Sequence, residues 1–237
     1  MSPSTSKAGR VVREPAEKRW ARRKEHRPGE ILEAAIACFA ERGFAATRID
    51  DVALRAGVTK GTVYLYFPNK EELFKAVVRQ AIVPNLAQGE ALVAASKEPA
   101  AVIVGRLLRQ WLAFHGTPAS AIPKLMLAEA GNFPDLARFY HAEVVERGMN
   151  LLRRLLQRAV ERGEFRAIDI DNAVFCIIGP VIMSLLWRHS FARHDSHALD
   201  AEALYRTHLD LLTRGLLAAD DEGITDRPRR RQKDANA

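Results

Sequence analysis

Three residues, Gly57, Val58 and Thr59, separate two short helical stretches, and this spacing constrains the fold more than any other feature of the sequence. Before the gap, "TRIDDVALRAG" places Ile49, Val52, Ala53 and Ala56 on one apolar stripe. Thr47 is the expected N-cap there, with Asp50 three residues on in a near capping box. After the gap, Thr59 is the expected N-cap of a helix over about 60–66 that Pro68 ends. Asn69 then caps a further helix whose first turn carries Glu71 and Glu72, favourable charges at a helix N-terminus. Two helices joined by so tight a turn form a helix-turn-helix unit.

The segment ahead of this unit supplies its third helix. From Pro28 to Arg42 the residues Ile31, Ala34, Ala35, Cys38 and Phe39 recur at helical spacing, and Gly43 suits the position just past the end. Beyond Glu71 every pattern is helical, interrupted at Pro84, Pro99, Gly116–Pro118, Pro123, Gly131–Pro134, Gly163 and 169–171. One long helix is expected after Pro134, with Leu136, Phe139, Tyr140, Leu152, Leu155, Leu156 and Ala159 facing inward. The next, over about 172–191, is apolar nearly all round, which implies burial on more than one side. Its Pro180 lacks the N–H that would bond the Cys176 carbonyl. A last helix is expected over about 199–218. The predicted fold class is all-α with about nine helices: an N-terminal three-helix helix-turn-helix domain over 28–75 and a larger helical domain over 76–219. A basic flexible arm (1–27) and a flexible tail (220–237) flank them.

Charge is concentrated at one end. The chain carries +7 overall, and residues 1–27 hold nine Lys/Arg against three acids. Such an arm fits an anionic polymer or a solvated tail. Cys38 and Cys176, the only cysteines, lie in apolar periodic runs and are expected to be reduced, buried thiols of a cytoplasmic protein. The longest uncharged apolar run, 173–187, contains Gly179 and Pro180 and is short for a membrane span, so no membrane partner is expected. P-loop, Gly-x-Gly-x-x-Gly, HExxH and Gly-x-Ser-x-Gly patterns are missing, and catalysis is not indicated.

In a helix-turn-helix the second helix enters the major groove. The stretch 59–66 suits that position. Thr59 and Thr62 offer hydroxyls, Lys60 a charge, Gly61 close backbone approach, and Tyr64 and Tyr66 hydroxyls on rigid arms. Lys70, together with the free N–H groups of its helix, is expected at a phosphate, and Thr47 and Arg48 likewise from the preceding helix.

The run "ILEAAIACFAERGFAATRIDDVALRAGVTKGTVYLYFPNKEELFKAV" closely resembles the DNA-binding domain of TetR-family transcriptional regulators, almost without gaps. The resemblance implies that Thr47, Thr59, Lys60, Gly61, Thr62, Tyr64, Tyr66 and Lys70 face DNA. Leu65 departs from family members with an aromatic or polar residue there, and an apolar contact with a thymine methyl is the expectation. The remainder, including "LMLAEAGNFPDLARFY", looks like an AefR-like C-terminal region of the same family. That implies a ligand-binding domain whose last two long helices pair with those of a second subunit.

Trp111, Phe114, Met126, Phe133, Phe139, Tyr140, Phe175 and Trp187 are the candidates to line an effector pocket, with His115, Glu129, Asn132 and His141 to orient the ligand. His189, His194 and His197 fit a solvated helix end better than a metal site, so neither metal nor cofactor is expected. The function implied is a homodimeric repressor on a near-palindromic operator, released by a small apolar effector. Two alternatives are an effector-independent regulator or activator whose second domain only dimerises, and an enzyme or carrier with a relic helix-turn-helix.

Overall fold

The computed structural model describes residues 16–196 and 199–217, with side chains from His26 onward. Among these the chain is helical throughout and contains no β-strand. The helices are α1 (Ala16–Ala46), α2 (Ile49–Arg55), α3 (Lys60–Tyr66), α4 (Lys70–Ala81), α5 (Val83–Ala95) and α6 (Ala100–His115). A 3-10 turn (Pro118–Ala121) leads into α7 (Ile122–Glu129), then come α8 (Pro134–Tyr140), α9 (Glu146–Glu161), α10 (Ile170–Ser190) and α11 (Ala201–Leu216). A π-helical turn, His141–Val145, runs α8 into α9, which makes the single long helix expected after Pro134. If that helix and α4–α5 are each counted once, nine helices remain among the described residues.

The chain divides into two compact units: residues up to Ala87 with Gly116–Glu146, and Gln88–His115 with Arg147 onward. In the first, α1 packs against α2, α4 and α7, and α2 against α3. Helix α1 begins at Ala16, ahead of the expected start at Pro28, and carries that proline in its interior. It departs from helical geometry at Gly43 (φ 80°), a left-handed conformation that glycine adopts without a Cβ clash. Phe39, Phe44 and Phe74 meet at centroid separations of 5.4–5.7 Å and close the core between α1 and α4. Phe74 meets the other two rings edge-on while Phe39 and Phe44 stack, and such aromatic pairs add roughly 0.5–1.5 kcal/mol each beyond the area buried.

The second unit centres on Ile103, Leu155, Leu156, Val174 and Ile177, with α6 and α10 against α11. Gly89 lets α5 approach closely, since a Cβ there would meet Leu151 Cδ2 at 3.0 Å and Leu107 Cδ2 at 3.2 Å. Val174, Ile177 and Leu185 bury one side of α10, while Phe175 (63% exposed), Cys176 and Met183 face outward. Burial on several sides was expected for this helix. The opposite face is instead exposed. Cys176 is therefore an exposed thiol rather than a buried one, and only Cys38 is in the core. Helix α10 is long and apolar enough to cross a membrane by length and composition, yet its buried side packs in this unit.

Candidate nucleic-acid interface and effector cavity

Helix α3 is positioned by two inward side chains, Val63 and Phe67, the second just past its C-terminus. Thr59 caps it as expected: its Oγ1 accepts from the Thr62 N–H (3.2 Å) and pairs with Thr62 Oγ1 (2.9 Å). The outward surface then carries Thr59, Lys60, Gly61, Tyr64 (45% exposed) and Leu65 (73% exposed) side by side. Tyr66 is half-buried and tilted against Phe67. The Lys60 ammonium reaches Asp50 of α2 at 2.8 Å, and this hydrogen-bonded carboxylate raises the lysine pKa. Both groups are exposed, so the pair can open toward a stronger anion.

Gly61 has no structural reason to be glycine. A Cβ there would meet only Thr59 Oγ1, at 3.9 Å, and the residue lies within regular helix. Alanine would favour the helix by about 1 kcal/mol. Gly61 leaves a side-chain-free patch on the outward surface of α3.

Two expected DNA contacts have their donors engaged by the protein itself. Thr47 is 1% exposed, and its hydroxyl lies 2.7 Å from the Gly43 carbonyl and 3.2 Å from that of Cys38. It does not cap α2. That position falls to Arg48, whose N–H donates to the Asp51 carboxylate at 3.1 Å. The shift of one residue relative to the expected Thr47–Asp50 pair follows from burial: Thr47 closes the α1–α2 corner and cannot also turn outward. Arg48 keeps an exposed side chain beside this N-terminus. Lys70 Nζ donates to the carbonyls of Phe44 (2.8 Å), Ala45 (3.0 Å) and Thr47 (3.1 Å), and stands 4.5 Å from the centre of the Phe44 ring. Its donors close the end of α1, and burial lowers its pKa. The sequence shows a lysine at a helix start, but not the carbonyls that surround it.

In the second unit, α6, α10 and α11 line a partly open cavity of about 40 Å³, bordered by Trp111, His115, Pro180, Ser184, Tyr205 and His208 among others. Of the eight aromatic and Met candidates, Trp111 lines it. Phe114 is buried edge-to-face on Trp111, Trp187 donates from Nε1 to Asp195 (2.9 Å), and Phe175 points outward. Met126, Phe133, Phe139 and Tyr140 belong to the first unit. There Phe133 packs edge-on to Phe44, and Phe139 lies under the Arg79 guanidinium. Of the polar candidates, His115 borders the cavity, whereas Glu129 and Asn132 bond each other (3.1 Å) in the first unit. His141 is exposed there. Ser184, Tyr205 and His208 were not anticipated. His208 and Tyr205 share the apolar stripe of α11 with Leu204, which in sequence is indistinguishable from a core face. His197 lies outside the described residues, and Asp195 beside it accepts from Trp187.

A tight helix pair presenting an exposed hydroxyl, cation and tyrosine surface, followed by a separate helical unit, defines a helix-turn-helix transcriptional regulator. Residues 31–77 match the family described as "Bacterial regulatory proteins, tetR family", and residues 104–218 match the "Tetracyclin repressor-like, C-terminal domain". The chain belongs to the TetR family of transcriptional regulators. For the C-terminal region the match is to this general domain, and the narrower AefR-like likeness remains a reading of its sequence.

The chain is 28% identical over 163 residues to the HTH-type transcriptional repressor KstR2 of Mycobacterium tuberculosis, spanning 68% of this chain and 80% of the relative. It is 25% identical over 199 residues to the fatty acid metabolism regulator protein of Bacillus subtilis, spanning 81% and 98%. The solved structure of the ketosteroid transcriptional regulator KstR2 of M. tuberculosis superposes with a TM-score of 0.65 at 25% identity, covering 81% of this chain and 96% of that one. The fatty acid degradation regulator FadR of Bacillus halodurans shares the fold (TM-score 0.67, 24% identity, 79% and 98% covered).

Proposed function

We propose that this protein is a homodimeric, cytoplasmic transcriptional repressor that binds a near-palindromic operator and leaves it when a small apolar effector binds the second unit. The observation that carries the reading is the outward face of α3, with Thr59, Lys60, Gly61, Tyr64 and Leu65 exposed together and a glycine the fold does not require. Residues 28–75 read DNA, with Arg48, Thr62 and Tyr66 beside that face, and 76–219 bind effector and dimerise. The outward side of α10, with Phe175, Cys176 and Met183, joins exposed Leu211 of α11 as the surface that pairs with a second subunit. Helix-turn-helix dimers of this symmetry read two half-sites about one DNA turn apart.

Support for an apolar effector comes from the mostly apolar α6–α10–α11 lining and from relatives named as a ketosteroid transcriptional regulator and a fatty acid metabolism regulator. The effector must bind the two dimer geometries differently to shift their balance. A second reading, an effector-independent regulator, has the cavity's small size in its favour: about 40 Å³ holds little more than a water molecule or two. Gel retardation on the DNA upstream of its own gene, at about 100 mM salt, tests the proposal, because specific complexes persist there while non-specific ones weaken. Loss of all retardation would overturn it. Retardation that no apolar ligand relieves would favour the second reading.

A further inference from the structure

Of the six Lys/Arg in residues 28–75, five are engaged within the protein. Arg42 pairs with Asp51 and Arg55 with Glu41, both at 2.7 Å, and Lys60 with Asp50 at 2.8 Å. Lys70 gives its hydrogens to three backbone carbonyls, and Lys75 meets Glu72 at 2.8 Å. Arg48 keeps an exposed side chain, although its own N–H already holds the Asp51 carboxylate at 3.1 Å. The charge balance agrees. Residues 28–87 hold seven Lys/Arg and seven Asp/Glu, and 116–146, the remainder of the first unit, two and four. An exposed pair can open toward a phosphate, but the carboxylate it releases then stands beside the same polyanion. Counterion release grows with the number of phosphates neutralised, so a head without excess cations draws little affinity from it.

The excess lies directly ahead of the head. Residues 1–27 hold nine Lys/Arg against three acids, and 16–27 alone hold six against Glu17 and Glu25. The backbone of 16–27 is the start of α1, about three turns or roughly 18 Å at the usual rise per residue. This charge therefore belongs to the helix that packs against α2 and α4.

We infer that residues 1–27 are a second DNA-binding element, which holds the phosphate backbone without regard to sequence and supplies most of the salt-dependent affinity for the operator. The two tasks of binding are then divided: α3 reads bases, and the basic segment provides attraction. A DNA duplex is the partner, rather than another polyanion, because the segment leads into the helix that packs on the helix-turn-helix. This deepens the proposed function and rests on its operator reading.

The test uses the full-length protein with Lys18, Arg19, Arg22, Arg23 and Lys24 all replaced by Gln, which keeps the helix propensity and removes the charge. The buried core begins at Ile31, so urea unfolding should match that of the unaltered protein. Fluorescence anisotropy then follows binding to an operator duplex and to a random-sequence duplex across about 50–200 mM salt. On the operator, the slope of log affinity against log salt should flatten by about 4 or more, the loss of two or more phosphate contacts from each subunit of a dimer. Affinities for the two duplexes should fall together, by about tenfold or more, and leave the preferred sequence unchanged. Replacing Arg19, Arg22 and Arg23 by Lys keeps the charge and should alter neither slope nor preference. An unaltered slope in the Gln variant, or a base preference shifted by the Lys substitutions, would overturn the inference. The random duplex separates it from the wider reading. If the unaltered protein holds both duplexes alike and the Gln substitutions release both, the operator reading falls and the phosphate element stands. Operator preference with an unchanged slope removes the element and leaves the repressor, and binding of neither duplex removes both.

Discussion

The ammonium of Lys70 donates to the backbone carbonyl of Thr47, 3.1 Å away, and ties the first turn of α4 to the corner between α1 and α2. Both residues fall where a DNA-facing role is expected, and both direct their hydrogens into the protein. Lys70→Met should therefore act on stability. Loss of the three carbonyl contacts predicts about 1–3 kcal/mol of destabilisation by urea unfolding, given the part-exposed setting. The dependence of operator affinity on salt should keep its slope, since no phosphate contact is removed. A flattened slope would return Lys70 to the phosphate.

Thr47→Val should cost about 1 kcal/mol, because a buried hydroxyl bonded to the Gly43 carbonyl is replaced by a methyl of similar shape. Thr47→Ser keeps the bond and should cost less. Chemical denaturation of the three proteins reads the order directly.

Gly61→Ala should separate folding from function. The helix gains up to about 1 kcal/mol, and the added methyl meets no protein atom closer than 3.9 Å. Operator affinity should nevertheless fall at least tenfold, the cost of holding backbone away from the duplex by one methyl group (about 1.4 kcal/mol). Retained affinity would remove the close approach assigned to this residue.

Lys60→Ala should flatten the plot of log affinity against log salt by about 2 for a dimer, one phosphate contact from each subunit. Leu65→Ala should instead relax base preference at one position of each half-site, read by selection from randomised operators.

His115 predicts an acid-sensitive fold. Its pKa in the folded chain lies below that of the unfolded chain, so between the two values the unfolded state binds more protons and stability rises with pH. Lowering pH from about 7 to 5 should therefore reduce the melting temperature, and His115→Phe should remove part of that slope. A slope unchanged by the substitution would place the acid sensitivity elsewhere.

Local sequence patterns were sufficient for the reading head. Gly43, Gly57, Thr59, Pro68 and Asn69 are punctuation whose effect acts over a few residues: α1 breaks its helical geometry at Gly43, and α2, α3 and α4 start or stop where the others direct. The period of Val63 and Phe67 likewise fixed which side of α3 turns inward, and hence that Tyr64 and Leu65 turn out. Tertiary structure decided what periodicity cannot carry. Thr47 and Lys70 change role because carbonyls far from them in sequence converge on their hydrogens. Cys176 and Phe175 lie in as apolar a run as Val174 and Ile177, yet only the latter are buried in the core of the second unit. His115 and His208 are alike as residues, and differ because packing brings the Arg188 guanidinium to one ring and the Ile177 carbonyl to the other. Backbone geometry is a short-range property of the chain, whereas a hydrogen-bond partner is settled by which distant segments packing brings together.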